Sequence, residues 1–204
     1  MSGPRARLGA MLLVSPDVVV VAVLAIFLFL DLCAALVLVT VSLRRPANLP
    51  LVIAAGLVVL GLIVAAVAPV TLPSLFGIVL ALLGVALAVV GGDPVTRRVL
   101  GIATHGTVRE GIAGGILVGG VKPDAEPQEI MRGGTTIGYL ERLAVVAALV
   151  AGFPEALAVV VALKGIGRFS ELATAAARER FIVGTFASLL WACLVGALVR
   201  LAIW

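Results

Sequence analysis

Residues 15–46 read SPDVVVVAVLAIFLFLDLCAALVLVTVSLRRP. Ser15-Pro16-Asp17 is a helix start, a Ser cap with Pro at the first helical position, and the apolar run continues to Leu43 before Arg44-Arg45-Pro46 stops it. Only Asp31 interrupts the run. A helix needs about 20 mostly apolar residues, each rising 1.5 Å, to cross a hydrocarbon core of about 30 Å. This stretch is long enough, so a membrane-spanning helix is predicted over residues 16–43. Arg5 and Arg7 precede it as in a secretory signal. The run is too long for one and lacks a convincing small-residue cleavage site, so the segment is expected to be retained.

Composition points the same way. With 62% hydrophobic and 13% charged residues and a mean hydropathy of +1.26, the chain is unlike a soluble domain, whose apolar share is roughly half and charged share about a quarter. It reads as an integral membrane protein. The net charge of +4 does not imply nucleic-acid binding, because the basic residues sit between apolar runs rather than in a stripe with aromatics. Cys33 and Cys193 lie inside apolar runs, without metal-ligand spacing, and imply no disulfide. Thirteen arginines against two lysines, with abundant Ala, Val, Gly and Leu, suggest a GC-rich bacterial genome.

The same ruler predicts five further spans, at about residues 49–68, 74–91, 135–152, 155–172 and 181–203. The expected fold is therefore all-α, a polytopic membrane helix bundle of about six transmembrane helices forming a single membrane domain over residues 1–204. Pro69-Val70-Thr71-Leu72-Pro73 leaves a tight connection between the second and third spans. Gly152-Phe153-Pro154-Glu155 reverses the chain between the fourth and fifth. Gly77, Gly84 and Gly91 recur every seven residues and form a seam where a neighbouring helix can approach closely; Gly184 and Ser188 repeat the small-residue spacing in the last span.

Residues 92–134 form the one sizeable polar segment, expected as a loop. Asp93-Pro94 suggests a short interfacial helix, with Val95, Val99 and Ile102 toward lipid and Arg97 and Arg98 toward water. The glycine-rich stretch Gly111 to Gly120 lacks the Gly-Lys-Ser/Thr ending of a phosphate loop; it reads first as a flexible or turn-rich linker, second as a re-entrant or hairpin element packed against the bundle, and last as a phosphate site. Lys122 to Pro127 reads as surface loop, and His105, the single histidine, as a surface residue.

Lysine and arginine concentrate in the first, third and fifth connections, through Arg44-Arg45, Arg97 to Arg132, and Lys164 to Arg180. The positive-inside rule therefore places these in the cytoplasm and both termini outside, although Arg5 and Arg7 alone would favour a cytoplasmic N-terminus.

An ionised side chain in hydrocarbon costs several kcal/mol unless it is paired or reaches water, so Glu141, Arg142, Lys164 and Arg168 mark the place to look. In an antiparallel hairpin turning near Phe153 and Pro154, Glu141 falls opposite Ile166, with Lys164 and Arg168 one helical turn apart on either side. Glu171 continues that stripe. Glu141 lies about 19 Å from the turn and Asp31 about 21 Å from the start of its own span, which makes Asp31 a candidate partner for Arg142 or Lys164. The candidate cluster is thus Asp31, Glu141, Arg142, Lys164, Arg168 and Glu171. Its structural reading is a set of pairs that fixes helix register. Its functional reading is a polar cavity for an anionic headgroup, an ion or a proton.

Gly133 to Arg142, then Phe153-Pro154-Glu155, then Lys164 to Phe169, then Glu179 to Thr185 resemble a family of small bacterial, actinobacterial-type integral membrane proteins. That family carries a C-terminal pattern of the type I-G-x-L-E-R, K-x-x-x-R-F/Y and I-G-T. The resemblance covers roughly the last 75 residues. It implies membrane location and directs attention to Glu141, Arg142, Lys164 and Arg168, without implying a reaction.

No catalytic residues, metal site or cofactor are predicted: there is no His pair, acidic metal motif or nucleophile with a base. The expected role is a structural or accessory component of the bacterial inner (plasma) membrane, multi-pass, in contact with the lipid bilayer and with seams suited to a second copy or a membrane partner. The alternative is a transporter, channel or lipid-binding protein that uses the charged cluster; an intramembrane enzyme ranks last.

Overall fold

The computed structural model describes residues 16–44, 48–68, 71–103, 109–110, 116–118, 128–130, 134–167, 169 and 174–204. Among the described residues six helices carry the fold: α1 (Pro16–Arg44), α2 (Asn48–Val67), α3 (Ser74–Ala103), α4 (Gly134–Val150), α5 (Ala156–Gly167) and α6 (Ala175–Ile203). The bundle is all-helical. By length and composition α1, α2, α3 and α6 are each long and apolar enough to cross a membrane. The α4–α5 hairpin is shorter: α4 has 17 residues and α5 has 12, or about 25 and 18 Å.

The predicted boundaries shift in three places. The third span does not stop at Gly91 but continues as one helix through Pro94 to Ala103, so the separate interfacial helix merges into α3. The fifth span, expected to residue 172, ends as an α-helix at Gly167. Three short antiparallel strands lie within the segment read as loop: β1 (Arg109–Glu110), β2 (Ile116–Val118) and β3 (Gln128–Ile130). Arg109 pairs with Leu117 and Ile116 with Ile130. Ile116-Leu117-Val118 is a run of strand-favouring residues between glycines and forms the central strand of this meander. The N-terminal arginines Arg5 and Arg7, Arg45, His105 and Lys122 to Pro127 lie outside the described residues.

Local chemistry sets the helix ends. Gly152 adopts φ 75°, the left-handed conformation that glycine accepts without a Cβ penalty. Phe153 N–H donates to Ala148 O at 2.8 Å and Gly152 N–H to Leu149 O at 3.0 Å, which closes α4 and turns the chain into α5. Thr174 caps α6 by accepting a hydrogen bond from Ala177 N–H at 3.2 Å.

The core draws buried residues from α1, α2, α3, α4 and α6, and at its centre α3 and α6 run antiparallel. Lipid tails are as apolar as leucine, so helices in a membrane associate through close packing rather than through escape from water. The glycine seam supplies that packing: Gly77 faces Ile203, Gly84 faces Val199, and Gly91 faces the indole of Trp191. Trp191 Nε1 donates to Leu87 O at 3.2 Å and locks the register. On one side of this pair α1 packs against α2 and α3; on the other, α4 packs against α3 and α6 and carries α5 on its outer side. Val23, Leu30, Leu60, Leu82 and Leu190 point outward and are exposed, forming the apolar surface expected against lipid.

Candidate functional site

The buried face of α4 carries Gly138, Glu141, Arg142 and Val145 at helical spacing. Arg142 is only 2% exposed. Its Nε donates to Gly138 O and its Nη1 to Val89 O, both at 2.8 Å, while Nη2 forms an ion pair with Asp93 Oδ1 at 2.5 Å. The guanidinium also lies 5.3 Å from the centre of the Tyr139 ring, within cation–π range.

Two glycines make the slot it occupies. A Cβ on Gly92 would fall onto Nη1, Cδ and Cζ of Arg142, and one on Gly138 would lie 2.7 Å from Nη2. Pro94 completes the arrangement. It has no N–H to give to Val90 O, one turn earlier, and Arg142 docks on the adjacent carbonyl of Val89. Proline inside a membrane helix is tolerated where packing against neighbouring helices supports the local backbone, and Arg142 contacts this stretch of α3 from another helix.

Beside this clamp Lys164 Nζ of α5 pairs with Glu141 Oε2 of α4. The two pairs tie three helices together, α3 to α4 through Arg142 and α4 to α5 through Glu141. Arg168 and Glu171, the remaining members of the predicted stripe, lie outside the described residues.

Asp31 does not join them. Gly61 of α2 faces both Asp31 and Leu198, whereas Gly91 and Gly92 of α3 face Trp191 and Arg142. Asp31 is therefore level with Leu198 and Arg142 with Trp191, seven residues apart on α6 (198 − 191), or about 10 Å along the axis. Depth measured from the start of the first span misleads because α1 overhangs its neighbour. With Asp31 opposite Gly61, the end of α2 at Val67 falls opposite Ala25, and Val18, Val19, Val20 and Val23 beyond it are exposed. Nor does α1 pack on α4 to any extent.

Asp93 was the functional residue missed. Its sequence context, Asp93-Pro94, reads as a helix start, and nothing local links it to Arg142. A pair of glycines immediately before an acid at the end of an apolar run was the available signal.

Several buried oxygens have no hydrogen-bond partner: Glu141 Oε1, Thr96 Oγ1, Thr185 Oγ1, Ser188 Oγ and Asp31 Oδ2. Thr96 lies beside Gly184 at the α3–α6 contact, so Thr96, Thr185 and Ser188 mark a polar seam toward the basic end of the bundle. Among the described residues no group of three or more His, Cys, Asp or Glu side chains is placed to hold a metal ion. Comparison with protein-family models, curated proteins and solved structures gives no match to this chain.

Proposed function

We propose that this multi-pass membrane protein is a non-catalytic structural or accessory component of a bacterial inner membrane, with its basic end, bearing Arg44, Arg97 and Arg98, in the cytoplasm. The proposal includes membership of the small bacterial membrane family that the C-terminal residues resemble. The observation that carries it is Arg142: each guanidinium nitrogen donates to a partner within the chain, on Gly138, Val89 and Asp93. A group engaged in this way holds helices in register and has little left to offer a ligand. The charge-swapped Glu141→Lys, Lys164→Glu double variant tests the reading. Recovery of folded yield and of any deletion phenotype by the swap, where each single change fails, supports a register role.

A second reading, a transporter, channel or lipid-binding protein, is favoured by the unpartnered oxygens of Glu141, Thr96, Thr185 and Ser188, because buried polar atoms without partners are where water, ions or headgroups bind. A swap variant that folds yet behaves as a deletion would move this reading to first place.

A further inference from the structure

Asp31 stands apart from every other described acid in the bundle. It is 6% exposed, its Oδ2 has no hydrogen-bond partner, and it forms no ion pair among the described residues. Its depth makes that unusual. Asp31 is level with Gly61, six residues from the end of the 20-residue α2 (67 − 61), or about 9 Å inside a helix whose full length is about 30 Å. The carboxyl therefore sits well within the hydrocarbon thickness. Gly61 admits it there: a Cβ on that residue would lie 2.6 Å from Asp31 Oδ2 and 2.8 Å from Leu198 Cδ1.

The elements packed around Asp31 bring it no counter-charge. Helix α2 contains no ionisable residue, and Val58 and Ala65 flank Gly61 on its buried face. On α3 the charged residues Asp93, Arg97 and Arg98 lie at the basic end. Asp93 is near the Arg142 level and committed to that residue. On α6 Arg200 is close in height but turned to α4, where it donates to Val150 O at 3.2 Å and stacks 4.9 Å from the Trp204 ring centre. Arg178, Glu179 and Arg180 lie at the far end of α6, and Arg44 at the far end of α1.

A carboxylate cannot keep its charge cheaply in such a place. Either a cation joins it or it takes up a proton and becomes neutral. A metal cation needs several oxygen ligands, and among the described residues Asp31 belongs to no group of three or more His, Cys, Asp or Glu side chains that could hold one. We propose that Asp31 is a proton-binding site within the membrane: the packed bundle holds it as the neutral acid, and the proton leaves only when α1 moves off Gly61 and lets the carboxylate reach water. The site is independent of the Arg142 clamp, so it stands or falls apart from the structural reading of that cluster.

Infrared spectroscopy of the purified full-length protein in lipid tests this directly, because a protonated carboxyl gives a carbonyl band separate from that of carboxylate. At neutral pH the wild type is expected to show such a band, Asp31→Asn to lack it, and Glu141→Gln to retain it. Identical wild-type and Asp31→Asn spectra in that region would overturn the proposal. Should Asp31→Asn fail to fold, the wild type is treated with dicyclohexylcarbodiimide, which adds to protonated carboxyls in apolar surroundings, and its peptides are mapped by mass spectrometry. An adduct on Asp31 that declines as pH rises, with Asp93 and Glu141 unmodified, supports the site; an Asp31 left unmodified would sink it.

Discussion

Gly92→Ala is the sharpest test of the Arg142 clamp, because it adds a single methyl group to a helix and neither adds nor removes a charge. That methyl would occupy the space of the guanidinium and of Cδ behind it. Such a clash is cheap when the neighbour is the free end of a flexible chain. Arg142 is not free, since three acceptors hold it, the carbonyls of Gly138 and Val89 and the Asp93 carboxylate. If α3 shifts to accommodate the methyl, the cost is that of overpacking, about 1–3 kcal/mol. If the guanidinium is expelled instead, Asp93 loses its partner, and breaking a buried pair costs about 3–5 kcal/mol. Gly56→Ala and Gly101→Ala are the controls. Nothing lies within 4 Å of a Cβ at either position, so each is expected to be neutral or to stabilise by up to about 1 kcal/mol through helix propensity. Reversible unfolding of the purified protein in mixed detergent micelles measures the difference. In an Arg142→Ala background the obstacle is gone, so Gly92→Ala should there cost less than about 1 kcal/mol, a coupling that a double-mutant cycle isolates. Equal stability of Gly92→Ala and Gly56→Ala in the wild-type background would show that the slot does not confine Arg142.

Glu141→Gln removes the partner of Lys164 and is expected to lower stability by about 3 kcal/mol, more than Glu110→Gln in the polar segment; equal melting temperatures would refute a buried pair. Trp191→Phe deletes the hydrogen bond to Leu87 O and should cost about 0.5–1.5 kcal/mol in the same unfolding assay, with no loss if the indole N–H is dispensable. Gly152→Ala combines a positive φ with a Cβ placed 2.9 Å from Arg200 Nη1, so a loss of more than about 1 kcal/mol is expected. For sidedness, single cysteines replace Gly101 and Phe153, both exposed, in a chain whose Cys33 and Cys193 are changed to Ala. An impermeant thiol reagent applied to intact cells should label Phe153→Cys and spare Gly101→Cys; the reverse pattern would invert the topology.

Much of the bundle was readable because span length and helix punctuation are local properties. Helix α1 starts at Pro16 and ends at Arg44, and Gly152 with Pro154 turns α4 into α5; each signal acts within one helical turn of the residue that carries it. The glycines at 77, 84 and 91 announced a close approach, although not that α6 would be the helix approaching. Pro94 misled in the opposite direction. A proline after an acid reads as a new helix, yet in α3 the chain continues through it, with an arginine from α4 docked on the neighbouring carbonyl. That contact comes from 53 residues away and has no local trace.

The acids at 141, 93 and 31 divide by the same criterion. Glu141 and Lys164 flank one tight turn, so counting from Phe153 was enough to bring them to one level, and they pair. Asp93 and Arg142 are 49 residues apart, with the strand meander between them, and no count along the chain predicts their meeting. Asp31 has no described partner, and its depth was misjudged because distance from a helix start equals depth only when that start is flush with the rest of the bundle. The remaining carboxyl is therefore the informative one. Paired acids explain themselves as parts of the scaffold, whereas an acid placed in hydrocarbon without a partner must exchange its charge for a proton, and exchange it back whenever its helix lets water in.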